Sequence, residues 1–161
     1  MATAFKMAYA GADTAVTITL ASLASSATAG RESTVVSNTS NLDLDVQLFA
    51  FFTPQAGSPA NDKGVYVRGY GTAGTTVYPD NVTGSDAALT PTSESNLTLL
   101  GFVNIAVSTT RGGAFLGSVA TAFGSMPEKW GVWVRNYCGF ALSATGSASG
   151  VTYNRVQTQG V

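Results

Sequence analysis

Three observations predict an all-β fold, an antiparallel β-sandwich of jelly-roll-like type with about eight strands. Apolar and polar residues alternate with a period of two in one run after another. No window of ten or more residues carries an apolar stripe at helical spacing between caps. The runs are separated by clusters of Gly, Ser, Thr, Asn and Pro, as at residues 25–30, 53–59, 111–113 and 143–150. A chain of 161 residues buries roughly 70% of its unfolded surface as one domain, enough for a core without disulfides or metals.

The expected domain spans residues 14–161, preceded by residues 1–13, in which Phe5, Met7 and Tyr9 alternate. That leading segment is either the first strand of the domain or an arm that adds a strand to a neighbouring sheet. Candidate strands follow at 14–23, 33–38, 42–52, 64–70, 96–107, 114–120, 130–137 and 151–157. In the third of these, Leu42, Leu44, Val46, Leu48 and Ala50 form one face, and Asp43, Asp45, Gln47, Phe49 and Phe51 the other. Phe49 and Phe51 call for cover, from a loop of this chain or from a neighbouring subunit, because exposing each costs about 1.5–3 kcal/mol. Asp43 and Asp45 on that face read as a charged guard against edge pairing.

Residues 64–70 put Tyr66, Arg68 and Tyr70 on one side and Val65 and Val67 on the other. Residues 130–135 set Trp130, Val132 and Val134 against Trp133 and Arg135. Aromatic and Arg side chains on a shared face suit a protein interface, and equally a sandwich core with an Arg tip reaching water. In 96–107 the alternation breaks around Gly101, which predicts a bulge or bend. Residues 71–95, including Tyr78, form the longest stretch without a strand pattern. It is the candidate contact loop, unless a short strand at 75–78 or a helical turn at 85–89 interrupts it.

Composition narrows the chemistry. The chain has no histidine, one cysteine and 11% charged residues. Ser-His and Cys-His nucleophile pairs are therefore ruled out, along with most zinc sites. Cys138 reads as a small apolar filler of a strand. Asp80, Asn81, Asp86 and Glu94 supply oxygen ligands within one loop but lack the alternating acidic spacing of a calcium loop. Net charge is −1 and the eight cations stand singly along the chain, a pattern unsuited to nucleic acid. No run reaches the length of a membrane span. The apolar residues 15–23 followed by Ala27-Thr28-Ala29 mimic a secretory leader. Asp13 and the alternation Val16-Thr17-Ile18-Thr19-Leu20 favour a strand there, and hence an uncleaved chain made in a cytoplasm.

Four segments carry a resemblance: Leu20-Ala21-Ser22-Leu23-Ala24-Ser25-Ser26-Ala27-Thr28-Ala29-Gly30-Arg31-Glu32-Ser33 running on to Asn41-Leu42-Asp43-Leu44-Asp45-Val46; Lys63-Gly64-Val65-Tyr66-Val67 with Tyr78-Pro79-Asp80; Asn96-Leu97-Thr98-Leu99-Leu100-Gly101; and Pro127-Glu128-Lys129-Trp130-Gly131-Val132-Trp133-Val134-Arg135-Asn136. Together they resemble small structural proteins of tailed bacteriophage virions, over most of the chain and through fold signatures. The resemblance implies a non-enzymatic, homo-oligomeric capsid decoration or cement subunit. It would be made in the host bacterial cytoplasm, reside in the virion and contact the major capsid protein and its own copies. It transfers no catalytic residue and no cofactor. The interface candidates are Phe5, Tyr9, Phe49, Phe51, Tyr66, Arg68, Tyr70, Tyr78, Trp133 and Arg135. The alternative is a tail, collar or fibre component binding a host surface glycan or protein, with Trp133 and Tyr137, or Tyr70 and Tyr78, as stacking platforms.

Overall fold

Alternation along the strands decides which way each side chain points, and the pairing of the strands turns that into two packed sheets. The computed structural model describes residues 5–57, 59–60, 62–74, 77–105 and 109–160. Among the described residues ten strands form: β1 (Phe5–Ala15), β2 (Gly30–Glu32), β3 (Val36–Ser37), β4 (Asp45–Phe52), β5 (Gly64–Thr72), β6 (Ala87–Leu89), β7 (Thr98–Asn104), β8 (Gly112–Ser118), β9 (Lys129–Asn136) and β10 (Gly150–Gly160), with a short helix α1 (Val119–Phe123). One sheet has the order β1-β10-β4-β8. The other has the order β6-β2-β9-β5-β7, with β3 also on β9. All pairings are antiparallel.

Without the short β3 and β6, eight strands remain. The first pairs with the last (β1 with β10), the second with the seventh (β2 with β9), the third with the sixth (β4 with β8) and the fourth with the fifth (β5 with β7). That nesting is a long hairpin rolled into two sheets, the jelly roll the sequence predicts. The two short strands are additions at the β2 end of the second sheet.

The main core lies between the sheets. Val46, Leu48, Ala50 and Phe52 of β4 face Val65 and Val67 of β5 and Trp130, Val132 and Val134 of β9, all essentially without solvent contact. Tyr153 of β10 packs edge-on against Trp130, with ring centres 5.3 Å apart. Cys138 belongs to this core, and burial pushes its thiol up to about 11.

Several strand expectations need correction. Residues 14–23 are not one strand. β1 ends at Ala15, and the chain then crosses between the sheets, Val16 N–H donating to Val151 O of β10 and Thr34 N–H donating to Thr17 O. The alternation there is real, because Val16 and Leu20 enter the core and Ile18 packs on it. Of the run 33–38 only Val36–Ser37 is strand (β3); β2 precedes it and ends at Glu32, next to Ser33, whose Oγ accepts from Val132 N–H of β9. β4 starts only at Asp45, leaving Leu42 (φ +52°) and Leu44 exposed ahead of it.

Asp43 is not an edge guard. It is buried, accepts from Arg155 Nε at 2.9 Å and from Gln157 Nε2 at 2.7 Å, and precedes a strand interior to its sheet. The bend expected at Gly101 is present as a bulge. Val67 faces Gly101 and Arg68 faces Leu99, so Leu100 is the extra residue and turns onto the core. Residues 106–108 of that run lie outside the described residues.

The second sheet carries a second layer. Its outer side presents Glu32, Tyr70 and Trp133, and residues 78–97 fold down over them, placing Val82, Leu89 and Leu97 on the two rings. Glu32, 1% exposed, holds the cover by accepting hydrogen bonds from Thr83 N–H, Thr83 Oγ1 and Gly84 N–H at 2.9–3.1 Å. Trp133 Nε1 donates to Leu89 O, and Tyr70 Oη donates to Ser33 O at 2.6 Å. Gly131 is required beneath them, since a Cβ there would stand 2.3 Å from the Tyr70 ring. Residues 71–95 are therefore largely a packed cover and not a free contact arm. β6 occupies 87–89 where a helical turn was the expectation, and the helical turn lies instead at Glu94–Asn96. Thr75 and Thr76 lie outside the described residues.

At one side of this cover Asp86 accepts from Thr19 N–H, from Thr19 Oγ1 and from Arg31 Nε. Partial burial pushes the Asp86 carboxyl up, but the hydrogen bonds from Arg31 and Thr19 outweigh it and hold the group below its ordinary value of 3.8. A depressed carboxylate stabilises the fold above its unfolded pKa and loses that contribution as the pH falls through the folded value. Asp86→Asn should lower the melting temperature at pH 7 and make it less sensitive to acid below about pH 4, as read by melting curves across pH. Truncating Glu32 to Ala should cost about 2–3 kcal/mol, because three donors lose their acceptor, with faster amide exchange in residues 78–97. The Cys138 thiol, raised to about 11 from 9.0, should react with iodoacetamide at pH 8 about 100-fold more slowly in the folded protein than in urea.

Candidate protein-interaction surfaces

The candidate residues divide between the outer faces of the two sheets, with opposite fates. On the second sheet, the ladder aligns Tyr66 with Arg135, Arg68 with Trp133 and Tyr70 with Gly131, so Tyr66, Arg68, Tyr70, Trp133 and Arg135 do share a face, and Tyr78 joins them edge-on to Tyr70. The structure brings these six together, seals Tyr70 and Trp133 completely and leaves Tyr66, Arg68, Tyr78 and Arg135 half-buried. Tyr70 and Trp133 have no exposed surface. As interface residues or sugar platforms they are corrected to core, because the 78–97 cover lies on them.

Glu94 at the end of that cover sits between the two guanidinium groups, 3.4 Å from Arg68 Nε and 3.2 Å from Arg135 Nε. Neither Nε makes a well-directed hydrogen bond, so the attraction is chiefly one of charge. Arg68 also donates to Leu97 O and Arg135 to Ala27 O. The Arg135 guanidinium lies 4.4 Å above the Tyr66 ring, and Lys63 Nζ lies 3.9 Å above Tyr137. Phe102 packs against Tyr66 at 4.7 Å. Cations and rings here satisfy one another, and the faces a ligand would stack on are already taken.

The oxygen ligands of the 71–95 region do not converge. Asp80 accepts from Ser93 N–H, Asp86 is held by Thr19 and Arg31, and Glu94 lies between Arg68 and Arg135. Among the described residues no group of three or more acidic or Cys side chains is arranged to hold a metal ion. No described helix is long and apolar enough to cross a membrane.

Among the described residues, none forms a second layer over the central aromatic residues of the first sheet. Cross-strand partners in an antiparallel ladder share a face. The register therefore sets Phe5, Met7 and Tyr9 of β1, Thr152 and Asn154 of β10, Gln47, Phe49 and Phe51 of β4, and Phe115 of β8 on the outer side. Phe49 is 42% exposed, and Phe5, Met7, Tyr9 and Phe115 between 66% and 72%. Phe51 is half-buried, beside Phe49 and under the Arg111 guanidinium at 4.5 Å.

Phe115, directly opposite Phe49, is the residue that sequence reasoning missed. Its alternation was visible, but the register that sets it beside Phe49 depends on an extra residue, Leu116, ahead of Gly117 (φ +88°). Between this pair and the bulge of β1 at 11–13 lies a depression of about 230 Å³, lined by Asp13, Gln47, Phe49, Phe115, Thr152 and Asn154 among others. Asn154 Nδ2 donates to Asp13 Oδ1 at 3.2 Å, while its Oδ1 is buried with no hydrogen-bond partner.

The first sheet thus offers an apolar, weakly charged surface, and the second one that is closed over Tyr70 and Trp133 and leaves Leu99 and Phe102 exposed beside them. Compared with known proteins, the chain matches no family model, no curated protein and no solved structure.

Proposed function

We propose that this chain is a non-enzymatic structural protein of a tailed-bacteriophage virion. It acts as a capsid decoration or cement subunit that stabilises the shell through contacts with the major capsid protein and with its own copies. The observation that carries this reading is the outer face of the first sheet. Phe49, Phe115, Tyr9, Met7 and Phe5 share one side of it and remain exposed. Leaving such side chains in water forgoes about 1.5–3 kcal/mol each, and clusters of this kind mark protein interaction sites. A lattice repeats one contact many times, so a modest patch suffices for firm attachment. The resemblance of residues 20–33 with 41–46, 63–67 with 78–80, 96–101 and 127–136 to virion structural proteins supports the same reading, with synthesis in the host cytoplasm and residence in the particle as its consequence.

One feature favours a second reading, a tail, collar or fibre component that binds a host surface glycan. The depression beside Phe49 and Phe115 combines rings with the Asp13 carboxylate, which Asn154 Nδ2 holds, and the Gln47 and Thr152 side chains, hydrogen-bonding groups suited to sugar hydroxyls.

Copy number in purified virions, measured by calibrated mass spectrometry against the major shell protein, tests both readings. Hundreds of copies are expected for a shell subunit. A few dozen or fewer would transfer the chain to the tail, and absence would overturn both. The double variant Phe49→Ser/Phe115→Ser should reduce binding to undecorated capsids at least about tenfold while lowering stability by no more than about 1 kcal/mol, since both positions are exposed. Glycan-array binding that disappears in Asn154→Ala would favour the second reading.

A further inference from the structure

β1 is an edge strand of the first sheet, with β10 on one side and no described strand on the other. It is also the open side of the sandwich, because at the opposite edge β8 lies against β7 of the other sheet. β4 accompanies β10 only as far as Asp45 opposite Val156, whereas β1 continues from Ala8 opposite Gln157 to Phe5 opposite Gly160. Phe5, Met7 and Tyr9 therefore stand largely on a two-stranded ribbon that runs past the third strand. An isolated ribbon of two strands is marginal in water, and a long apolar edge without Pro is a template for another strand.

We propose that the partner for this edge is a second copy of the chain, with β1 pairing antiparallel to β1 about a two-fold axis at Met7. This rests on reading the chain as an assembly subunit, and adds the surface and register of self-association. The stripe is its own complement: read backwards, aromatic-x-Met-x-aromatic is unchanged in kind, as an isologous contact requires. Symmetry restricts the register further. A two-fold axis between antiparallel strands sets some residue opposite itself, so the numbers of facing residues add to an even sum.

Of these registers, the one with Met7 opposite Met7 sets Phe5 opposite Tyr9 and Lys6 opposite Ala8, so every apolar residue of the stripe meets another. Moving the centre to Lys6 puts like charges face to face, which is unfavourable, and pushes Tyr9 past Phe5. Moving it to Ala8 or Tyr9 brings Gly11 (φ +83°), where the ladder of β1 bulges, against Phe5 or Met7. Five residues pair on each strand, ending short of that bulge.

Single cysteines read the register, because Cys138 is buried in the core and does not compete. Directly opposed strand residues fall within disulfide range. Under mild oxidation Met7→Cys is expected to convert mostly to a covalent dimer. Phe5→Cys and Tyr9→Cys should cross-link when mixed and far less alone, since like positions there stand about 13 Å apart along the strand. The unmodified protein is expected to be a dimer by light scattering at tens of micromolar. A monomer at every concentration tested overturns the proposal. So does a dimer that cross-links best through Phe5→Cys or Ala8→Cys alone, or only through positions on the second sheet. A monomer that still coats capsids would overturn the pairing and leave the virion reading standing. A Met7-centred dimer absent from virions would do the reverse.

Discussion

A strand alternates, and whatever it turns away from one core must be dealt with on the other side. β9 shows the constraint most sharply. Trp130, Val132 and Val134 fill the space between the sheets, and Trp133 then has to point outward, where an uncovered indole exposes a large apolar area. The segment from 78 to 97 exists, in physical terms, to answer that. It lays Val82, Leu89 and Leu97 on Trp133 and Tyr70, and it is pinned by acceptors at its two sides, Glu32 for Thr83 and Gly84, and Asp86 for Arg31 and Thr19. A buried carboxylate such as Glu32 is tolerable only when its lone pairs are filled, and the Thr83 and Gly84 N–H groups and the Thr83 hydroxyl do that.

The same alternation acts on β4, with a different outcome. Val46, Leu48, Ala50 and Phe52 go inward, so Gln47, Phe49 and Phe51 must face out. Among the described residues no comparable cover lies over Phe49 and Phe115, and Arg111 stacks on the neighbouring Phe51. One aromatic face of the sandwich is thus covered over its two central rings, Tyr70 and Trp133, by its own chain, and the other is left to the surroundings. Both faces carry large rings, Tyr70, Trp133 and Phe102 on one and Phe49, Phe51 and Phe115 on the other, so hydrophobicity alone does not account for the difference. It lies in the length of the connections. More than twenty residues join β5 to β7, enough to turn back over the sheet, whereas β4 is flanked by connections already used to cross between layers.

Much of this was legible in the sequence, and the failures share one cause. Period two located most strands, because it is a property of each strand alone. The two-sided readings of residues 64–70 and 130–135 were correct in direction, and the break at Gly101 was a bulge. Which side of a sheet is covered is not a property of a strand. Tyr70 and Trp133 looked like interface residues because nothing in their own segments shows that residue 82 or 89 will lie on them. Asp43 looked like an edge guard because its partners, Arg155 and Gln157, are more than a hundred positions away. Val16, Ile18 and Leu20 alternate like a strand because a segment crossing over the core meets the same inside-and-outside requirement while making only scattered backbone hydrogen bonds to Val151 and Thr34. Phe115 was lost to a one-residue bulge, the smallest change that alters which residues face each other.

The self-pairing of β1 and the attachment of the first sheet to a shell are linked by geometry. A two-fold axis between two antiparallel edge strands is perpendicular to the sheet, so it returns both outer faces to the same side. Phe49 and Phe115 of one copy and of the other would then lie on one continuous eight-stranded surface, with the Phe5, Met7 and Tyr9 stripes of both copies at its centre. Pairing about an axis within the sheet plane would instead turn one aromatic face away from the other. The arrangement that hides the free edge is therefore also the one that presents two copies of the patch to a single partner surface. Two weak contacts held at a fixed spacing bind far more tightly than either alone, provided the partner repeats at that spacing. A shell lattice has such repeats, and an isolated receptor need not.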